Sequence, residues 1–321
     1  LPDISVIIVN YRGWKRLAQC LDSLDSIEDP RFTYEVTIID NHSDDGKFDH
    51  FRRRYPRFSF ILNAGNLGFS NGCNLGAETA GGAYLLFLNP DTIVSADALF
   101  ALLEEARKRR PFSVVSCRQF RENGAEERPY GEFLTPSNLT GWLRASAKLV
   151  SGQKNGRFHQ TEEYLYPDWI SGSVVMIGRD SFRKLGGWSD DFWMYFEDVD
   201  LCRRASQSNG EIVLLKSVGI EHNHGGASRI NRHITVLTKT EVEISRHVYI
   251  SKHESGIRAG YMHAFLIINN LIIGLIPALP GILLFFVPGL ATNSKIYFQL
   301  LRHYSNVIRS GKWLSKRSVN F

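Results

Sequence analysis

Three short apolar runs limit what this chain can become. Residues 4–9 read ISVIIV, residues 34–39 YEVTII and residues 83–88 AYLLFL. Runs this short, β-branched or aromatic and with little polar alternation, are strands covered on both faces, as in a parallel sheet. Helical spacing follows the first run, with apolar residues at Trp14, Leu17, Ala18, Leu21 and Leu24. Residues 71–79 and 96–109 read as further helices, and residues 58–62, 113–117, 169–178 and 212–220 as further strands. Residues 118–168 scatter Gly, Pro and charge and read as loops and short helices. Strands alternating with helices predict an α/β fold with a mainly parallel sheet. Such sheets bind ligands beyond the carboxyl ends of their strands. The polar clusters Asn10-Tyr11, Asp40-Asn41 and Asn89-Pro90-Asp91 each follow a strand, so the topology predicts them at one edge.

Each cluster has two readings. Asp40 can accept from a ribose hydroxyl or a base N–H, or it can close an Asx turn. Asp91 can ligate Mg2+ or Mn2+, or it can sit in the turn that Asn-Pro starts. Residues 63–76, NAGNLGFSNGCNLG, hold four glycines that let backbone approach a ligand, and they open a helix whose N-terminus favours a diphosphate. They match neither the Walker nor the GxGxxG pattern. His222 and His224 follow the last strand and can complete a metal site or meet a phosphate. Residues 186–204, GGWSDDFWMYFEDVDLCRR, interleave five acids with aromatic residues. Either a carboxylate there lies against a desolvated wall, which makes it a usable base, or the acids are a solvated first helical turn.

In order, six pieces resemble family-2 inverting glycosyltransferases of the GT-A fold, and the rhamnosyltransferase-like bacterial branch in particular. They are SVIIVNYRG (5–13), IIDNHSDDG (38–46), NLGFSNGCNLG (66–76), LFLNPDTIV (86–94), SGSVVMIGRDSFRKLGGWSDDFWMYFEDVDLCRR (171–204) and EHNHGGAS (221–228). The resemblance implies a donor site in which Val9, Tyr11, Asp40 and Asn41 hold the nucleoside. Gly68, Phe69 and Asn74 would flank the diphosphate and sugar. Asn89 and Asp91 stand where the family has its DxD-type motif, with Asn89 in place of the first acid. Asp91, with His222 or His224, would hold Mg2+ or Mn2+. Asp198 would be the general base, Glu197 its orienting neighbour, and Trp193 and Tyr195 walls of the acceptor site. Asp200 would turn away from Asp198 and pair with Arg203 or Arg204. The implied reaction is inverting transfer from a dTDP- or UDP-linked sugar, with rhamnose from dTDP-rhamnose as the expected donor, to a lipid-linked bacterial glycan. Another hexose, galactofuranose or an N-acetylhexosamine keeps the same mechanism.

Charge and hydropathy set the last third apart. Residues 255–321 contain seven Lys and Arg and no Asp or Glu, while the other 254 residues carry 31 basic and 33 acidic side chains. Residues 271–291 are uncharged and long enough to span a bilayer, but Pro277, Pro280 and Pro288 interrupt them. A single crossing would also separate a cytosolic catalytic domain from a basic tail that favours the same side. The expectation is therefore a broken interfacial hairpin, with residues 296–314 as a basic amphipathic helix presenting Tyr297, Leu300, Leu301, Tyr304, Val307 and Ile308 on one face. The predicted organisation is a catalytic domain over 1–228, a connecting helix over 229–258 and a membrane-associating region over 259–321. The predicted location is the cytoplasmic face of a bacterial inner membrane. Nucleic acid fits poorly as the basic tail's partner because the adjoining segment is apolar, and the C-terminal region is a candidate for self-association. Cys20, Cys73, Cys117 and Cys202 form no CxxC pair and read as buried thiols. Two competing readings are a sugar-phosphate nucleotidylyltransferase, which lacks support because residues 10–13 carry no Gly-rich triphosphate loop, and a membrane scaffold with a decayed site.

Overall fold

A computed structural model describes the chain except residues 152–157, 224–230, 285, 288 and 289. It divides into two compact units. The first comprises Leu1–Phe133, Phe158–Asp190 and Glu197–Ala227, and the second Leu134–Arg157, Asp191–Phe196 and Ser228–Phe321.

Seven strands carry the first unit: β1 (Ile4–Asn10), β2 (Tyr34–Asp40), β3 (Ser59–Leu62), β4 (Tyr84–Leu88), β5 (Val114–Phe120), β6 (Val174–Gly178) and β7 (Ile212–His222). Their order is β3-β2-β1-β4-β6-β5-β7. The first four are mutually parallel. β6 is antiparallel to both neighbours, and β7 returns parallel to β5. The predicted α/β fold with a mostly parallel sheet is what forms, with β6 reversed. Successive side chains point to opposite faces of a strand. Ile4, Val6 and Ile8 accordingly join a core with Leu17, Leu21 and Leu99, while Ile7 and Ile39 join Phe87, Ile177 and Trp188 on the other face. Helices α1 (Trp14–Asp25) and α3 (Ala96–Lys108) contribute to the first core, and α2 (Phe69–Thr79) and α4 (Glu197–Gln207) to the second.

Two local readings need correction. Residues 169–178 are not one strand. Trp169–Ile170 pairs with Tyr130–Gly131, and the chain bends before β6 begins at Val174. Of the four glycines in residues 63–76, two serve packing instead of ligand approach. Gly76 lies inside α2, where a Cβ would come within 2.6 Å of Ile7, and at Gly72 one would come within 2.8 Å of Val9. All four cysteines are buried and unpaired, as expected.

The second unit is built on α5 (Arg232–His253), capped by Asn231, whose side chain accepts from the Ile234 N–H at 3.0 Å. Leu139, Ile250, Met262 and Leu266 form its buried core. Next come α6 (Gly256–Ile268), a wide π turn (Asn269–Ile273) and α7 (Leu275–Leu283). Together they make a 28-residue helix, Gly256–Leu283, long and apolar enough to cross a membrane by length and composition. It starts well before the expected residues 271–291 and runs through Pro277 and Pro280, whereas Pro288 lies outside the described residues. The wide turn accommodates the break: Gly274 N–H donates to the Asn269 carbonyl at 2.9 Å, and a Cβ on Gly274 would collide with the Asn270 carbonyl. The last helix is α8 (Ala291–Ser310). Its apolar residues do not share the one predicted face. Leu300 and Tyr304 turn inward, whereas Leu301, Phe298 and Ile308 are exposed.

Segment Asp191–Phe196 also belongs to this unit. Lys252 Nζ meets Asp191 at 2.5 Å, Ser245 Oγ donates to the Met194 carbonyl at 3.0 Å, and the Tyr249 ring packs on Phe196. From the C-terminus, Asn320 donates to Asp191 at 2.8 Å and the Arg317 guanidinium lies over the Trp193 ring. These contacts hold Tyr195 and Phe196 at φ of 71° and 68°. Left-handed backbone of this kind costs ~1–3 kcal/mol per non-glycine residue and persists where surroundings enforce it.

Candidate active site

The ends of β1 and β2 are joined by a saturated polar network. Asp40 is 1% exposed. Its carboxylate accepts from Ser43 Oγ at 2.5 Å, Ser43 N–H at 3.0 Å and Asn10 Nδ2 at 3.2 Å. Asn41 donates to the Gly68 carbonyl at 2.7 Å and accepts from Asn63 at 2.8 Å. Arg12 donates from its backbone to Ser43 Oγ at 2.8 Å and from Nε to the Ser43 carbonyl at 2.9 Å, with its guanidinium near the Tyr11 ring. Val9 is buried at the end of β1, against Gly72. The Asx-turn geometry read as one option for Asp40 is therefore present, and it draws Tyr11, Asp40, Asn41 and Gly68 to one edge.

Gly68 precedes α2 with φ of 95°, a conformation that favours glycine. Phe69, the first residue of α2, meets Trp188 edge to face. The Asn74 amide makes two hydrogen bonds to the Trp188 backbone, donating at 2.8 Å and accepting at 2.9 Å. That amide thereby ties α2 to the segment leading toward the acids.

Asn89, Asp91 and His222 come together through the short strand Thr92–Ile93, which pairs with the end of β7 so that His222 lies opposite Thr92. His222 Nε2 lies 3.3 Å from Asp91 Oδ1 and 3.4 Å from Asn89 Nδ2. Its Nδ1 lies 3.5 Å from Glu127 Oε2. Glu127 was not foreseen, because it sits in an irregular stretch with no periodicity to mark it. A carboxylate behind one ring nitrogen fixes the tautomer and directs the other nitrogen's lone pair toward a metal. Donor atoms 3.3 Å apart suit adjacent positions on a cation with bonds of about 2.1 Å, so Asp91 and His222 fit a divalent metal. Among the described residues no three His, Cys, Asp or Glu side chains form a ready-made metal cluster. His224 lies outside the described residues.

The acids of α4 divide by environment. Asp200, fully buried, pairs with Arg204 at 2.7 Å, as the helical spacing predicted. Asp198 is partly exposed, and its carboxylate accepts from the Gly172 N–H at 3.0 Å and the Val199 N–H at 2.8 Å. The bend at residues 171–173 is what aims the Gly172 N–H. A Cβ at Gly172 would sit 3.3 Å from the Phe69 ring and 3.7 Å from Asp198 Cβ, so Phe69, Gly172 and Asp198 converge. Glu197 is buried, and its Oε2 has no hydrogen-bond partner among the described residues. Burial raises the Glu197 pKa well above its ordinary value, and the Asp198 charge adds to the shift. Burial also raises Asp198, while the Gly172 and Val199 amides oppose the rise. Burial thus disfavours charge on both carboxyls, and only Asp198 is compensated by two amide donors. Trp193 and Tyr195 lie in the second unit, in the constrained segment described above.

A model of glycosyl transferase family 2 matches residues 5–167, about half of the chain. The chain belongs to glycosyl transferase family 2. It is a glycosyltransferase, and a second model, the N-terminal domain of galactosyltransferase, matches residues 157–225. Among curated relatives, the low-salt glycan biosynthesis hexosyltransferase Agl10 of Haloferax volcanii is 26% identical over 70% of this chain and 68% of its own. The N-acetylglucosaminyl-diphospho-decaprenol L-rhamnosyltransferase of Mycobacterium tuberculosis is 27% identical over 68% of this chain and 76% of its own. Rhamnosyltransferase WbbL of Escherichia coli is 24% identical over 63% and 76%. The GT-A fold is shared with the mannosyltransferase PcManGT of Pyrobaculum calidifontis, solved with GDP-Man and Mn2+, at a TM-score of 0.53 and 14% identity over 97% of this chain and 76% of that one. GalNAc-T7, solved with UDP, GalNAc and Mn2+, aligns at a TM-score of 0.54 and 15% identity over 84% of this chain and 58% of that one.

Proposed function

We propose that this glycosyltransferase inverts the anomeric centre of a nucleotide-linked sugar, rhamnose from dTDP-rhamnose being the favoured donor, as it transfers the sugar to a lipid-linked glycan at the cytoplasmic face of a membrane. The observation that carries the mechanism is the Glu197–Asp198 pair: a partly exposed carboxylate fixed by two amides, beside a buried acid. Asp198 accepts the proton of the acceptor hydroxyl. The acceptor oxygen bonds to the anomeric carbon, and the bond from that carbon to the diphosphate breaks with its electron pair on the leaving nucleoside diphosphate. General-base catalysis of this kind contributes ~10²–10⁴-fold. Asp91 and His222 would hold Mg2+ or Mn2+, with Glu127 orienting His222, and the metal would supply Lewis-acid stabilisation of the diphosphate. Tyr11, Asp40, Asn41 and the turn at Gly68 would form the nucleoside and diphosphate side.

The rhamnosyltransferase relatives support the choice of sugar, and the decaprenol-linked substrate in one relative's name supports a lipid-linked acceptor. The hexosyltransferase among the relatives favours another hexose as the second reading. Purified protein would be offered a panel of nucleotide sugars with a lipid-linked acceptor, following nucleoside diphosphate release and product mass. Release with dTDP-rhamnose, a product gaining one deoxyhexose and loss of both in Asp198→Asn are expected. Transfer of a different sugar overturns the donor, and retained stereochemistry overturns the mechanism.

A further inference from the structure

The second unit contains a small concave site unrelated to the carboxylate pair. Its volume is about 280 Å³, and its lining includes Arg232, His233, Lys295, Phe298, Gln299 and Arg302. Arg232 and His233 open α5, and Lys295 and Arg302 lie two turns apart on α8. No acid lines the cavity, and among the described residues no ion pair neutralises these cations. Concentrating like charge in a concavity is unfavourable unless an anion occupies it, because each cation raises the potential felt by the others. Gln299 accepts from Thr240 Oγ1 at 2.9 Å, which fixes the floor between the two helices.

The surroundings identify the kind of anion. Ile268, Ile272, Ile276, Leu279 and Leu283 recur every three or four residues along Gly256–Leu283, and all are exposed. This stripe ends where α7 packs tightly on the start of α8. A Cβ at Gly281 would come within 2.1 Å of the Leu290 carbonyl and 2.7 Å of Ser294 Oγ. Lys295 is the next residue. Exposed Phe298 lines the cavity from the same helix. Apolar surface thus gives way to uncompensated cations within one helical turn, as acyl chain gives way to phosphate in a lipid.

We infer that Arg232, Lys295 and Arg302, with His233, form a binding site for the phosphate ester at the head of a lipid, while the Ile268–Leu283 stripe meets the acyl region. The site rests on the membrane-attached reading given above and adds a defined phosphate subsite to it. Arg offers a planar fork for phosphate oxygens and Lys a point charge, a combination suited to one phosphate.

Flotation of the full-length protein with vesicles tests this. Vesicles of phosphatidylcholine alone would be compared with vesicles that also contain phosphatidylglycerol, with and without inorganic phosphate as a soluble competitor. The triple variant Arg232→Gln/Lys295→Gln/Arg302→Gln would be set against Arg309→Gln/Lys312→Gln/Lys316→Gln, which removes the same charge elsewhere. At about fivefold per cation, the pocket variant should lose on the order of a hundredfold in affinity for the anionic vesicles. The control variant should lose much less, both should keep the phosphatidylcholine binding supplied by the stripe, and inorganic phosphate should compete only weakly. Equal losses in the two variants would mean diffuse attraction and would overturn the site. Full competition by inorganic phosphate would assign it to a free anion and overturn the lipid. Loss of binding to every vesicle in the unmodified protein would overturn the membrane reading, whereas selective failure of the pocket variant to differ would overturn the site alone.

Discussion

Two buried acidic centres in the first unit contrast in how completely they are satisfied. Asp40 accepts three hydrogen bonds from Asn10 and Ser43 and closes the turn that follows β2. Glu197 is also buried, yet among the described residues one of its oxygens has no hydrogen-bond partner, and its neighbour Asp198 is held by amides and partly open to solvent. A carboxylate whose oxygens are saturated by donors serves as scaffold. A pair of buried neighbouring acids is costly to keep doubly charged, which suits it to proton exchange. The difference teaches where to look for chemistry: at the acid whose surroundings leave it incompletely solvated.

The widest separation between the two centres should come from Asp198→Asn. Activity should fall ~10²–10⁴-fold. Thermal stability should hold or rise, since a desolvated charge has been removed. Steady-state rates and a melting curve on the same sample check both halves. A folded variant that turns over normally would end the assignment of Asp198 as base. Asp40→Ala should invert that pattern in stability. Three donors lose a buried acceptor, and unfolding free energy should drop by about 2–4 kcal/mol. Urea denaturation measures this, and an unchanged midpoint would show the network to be dispensable.

Glu197→Gln tests the division of labour inside the pair. Glutamine mimics the protonated acid, so most activity should survive, and the acid limb of the rate profile should still reflect Asp198. Because burial raises the Asp198 pKa, that limb should lie above the ordinary aspartate range, with rate lost as pH falls through it. Stability carries the opposite sign. The Glu197 pKa is raised on folding, so its favourable contribution is complete below the ordinary glutamate value and is lost as pH rises through the folded value. The variant should therefore gain melting temperature over the parent at pH 8 and lose that gain toward pH 4. A gain independent of pH would contradict a Glu197 pKa raised by burial.

Much of this contrast was readable from the chain, and its limits have physical causes. The three short apolar runs gave strands to within one residue at each end, because a strand covered on both faces is mostly apolar. The alternation with helices gave the sheet, and the polar clusters Asn10-Tyr11, Asp40-Asn41 and Asn89-Pro90-Asp91 do lie at the ends of parallel strands, along one edge. Asp200 was separable from Asp198 by helical angle alone, and it does pair with Arg204. Hydrophobic pattern says nothing about where a strand bends, so the break at residues 171–173, which aims Gly172 at Asp198, stayed hidden. Glu127 was hidden because it is brought to His222 by tertiary packing, without a local pattern. Asn74 looked like a ligand residue, whereas its amide is committed to the Trp188 backbone. The apolar residues of α8 were assigned one face, but Leu300 and Leu301 are adjacent and point to different surroundings.

A third buried acid, in the second unit, isolates desolvation from chemistry. Glu241 is 3% exposed, accepts from Ser315 Oγ at 3.0 Å and lies 3.7 Å from the Arg317 guanidinium. Burial raises its pKa to about 7, against the opposing pull of Ser315 and Arg317. Like Glu197, it has an oxygen without a hydrogen-bond partner among the described residues. Its stabilising contribution is complete below the ordinary glutamate value near 4.5 and is lost as pH rises through about 7. Glu241→Gln should accordingly flatten the pH dependence of the melting temperature between those limits. The effect should be the smallest of the four, because the carboxyl is partly compensated, and turnover at a fixed pH where the protein is folded should be unchanged. Loss of turnover with an intact fold would mean that burial alone does not distinguish the catalytic pair.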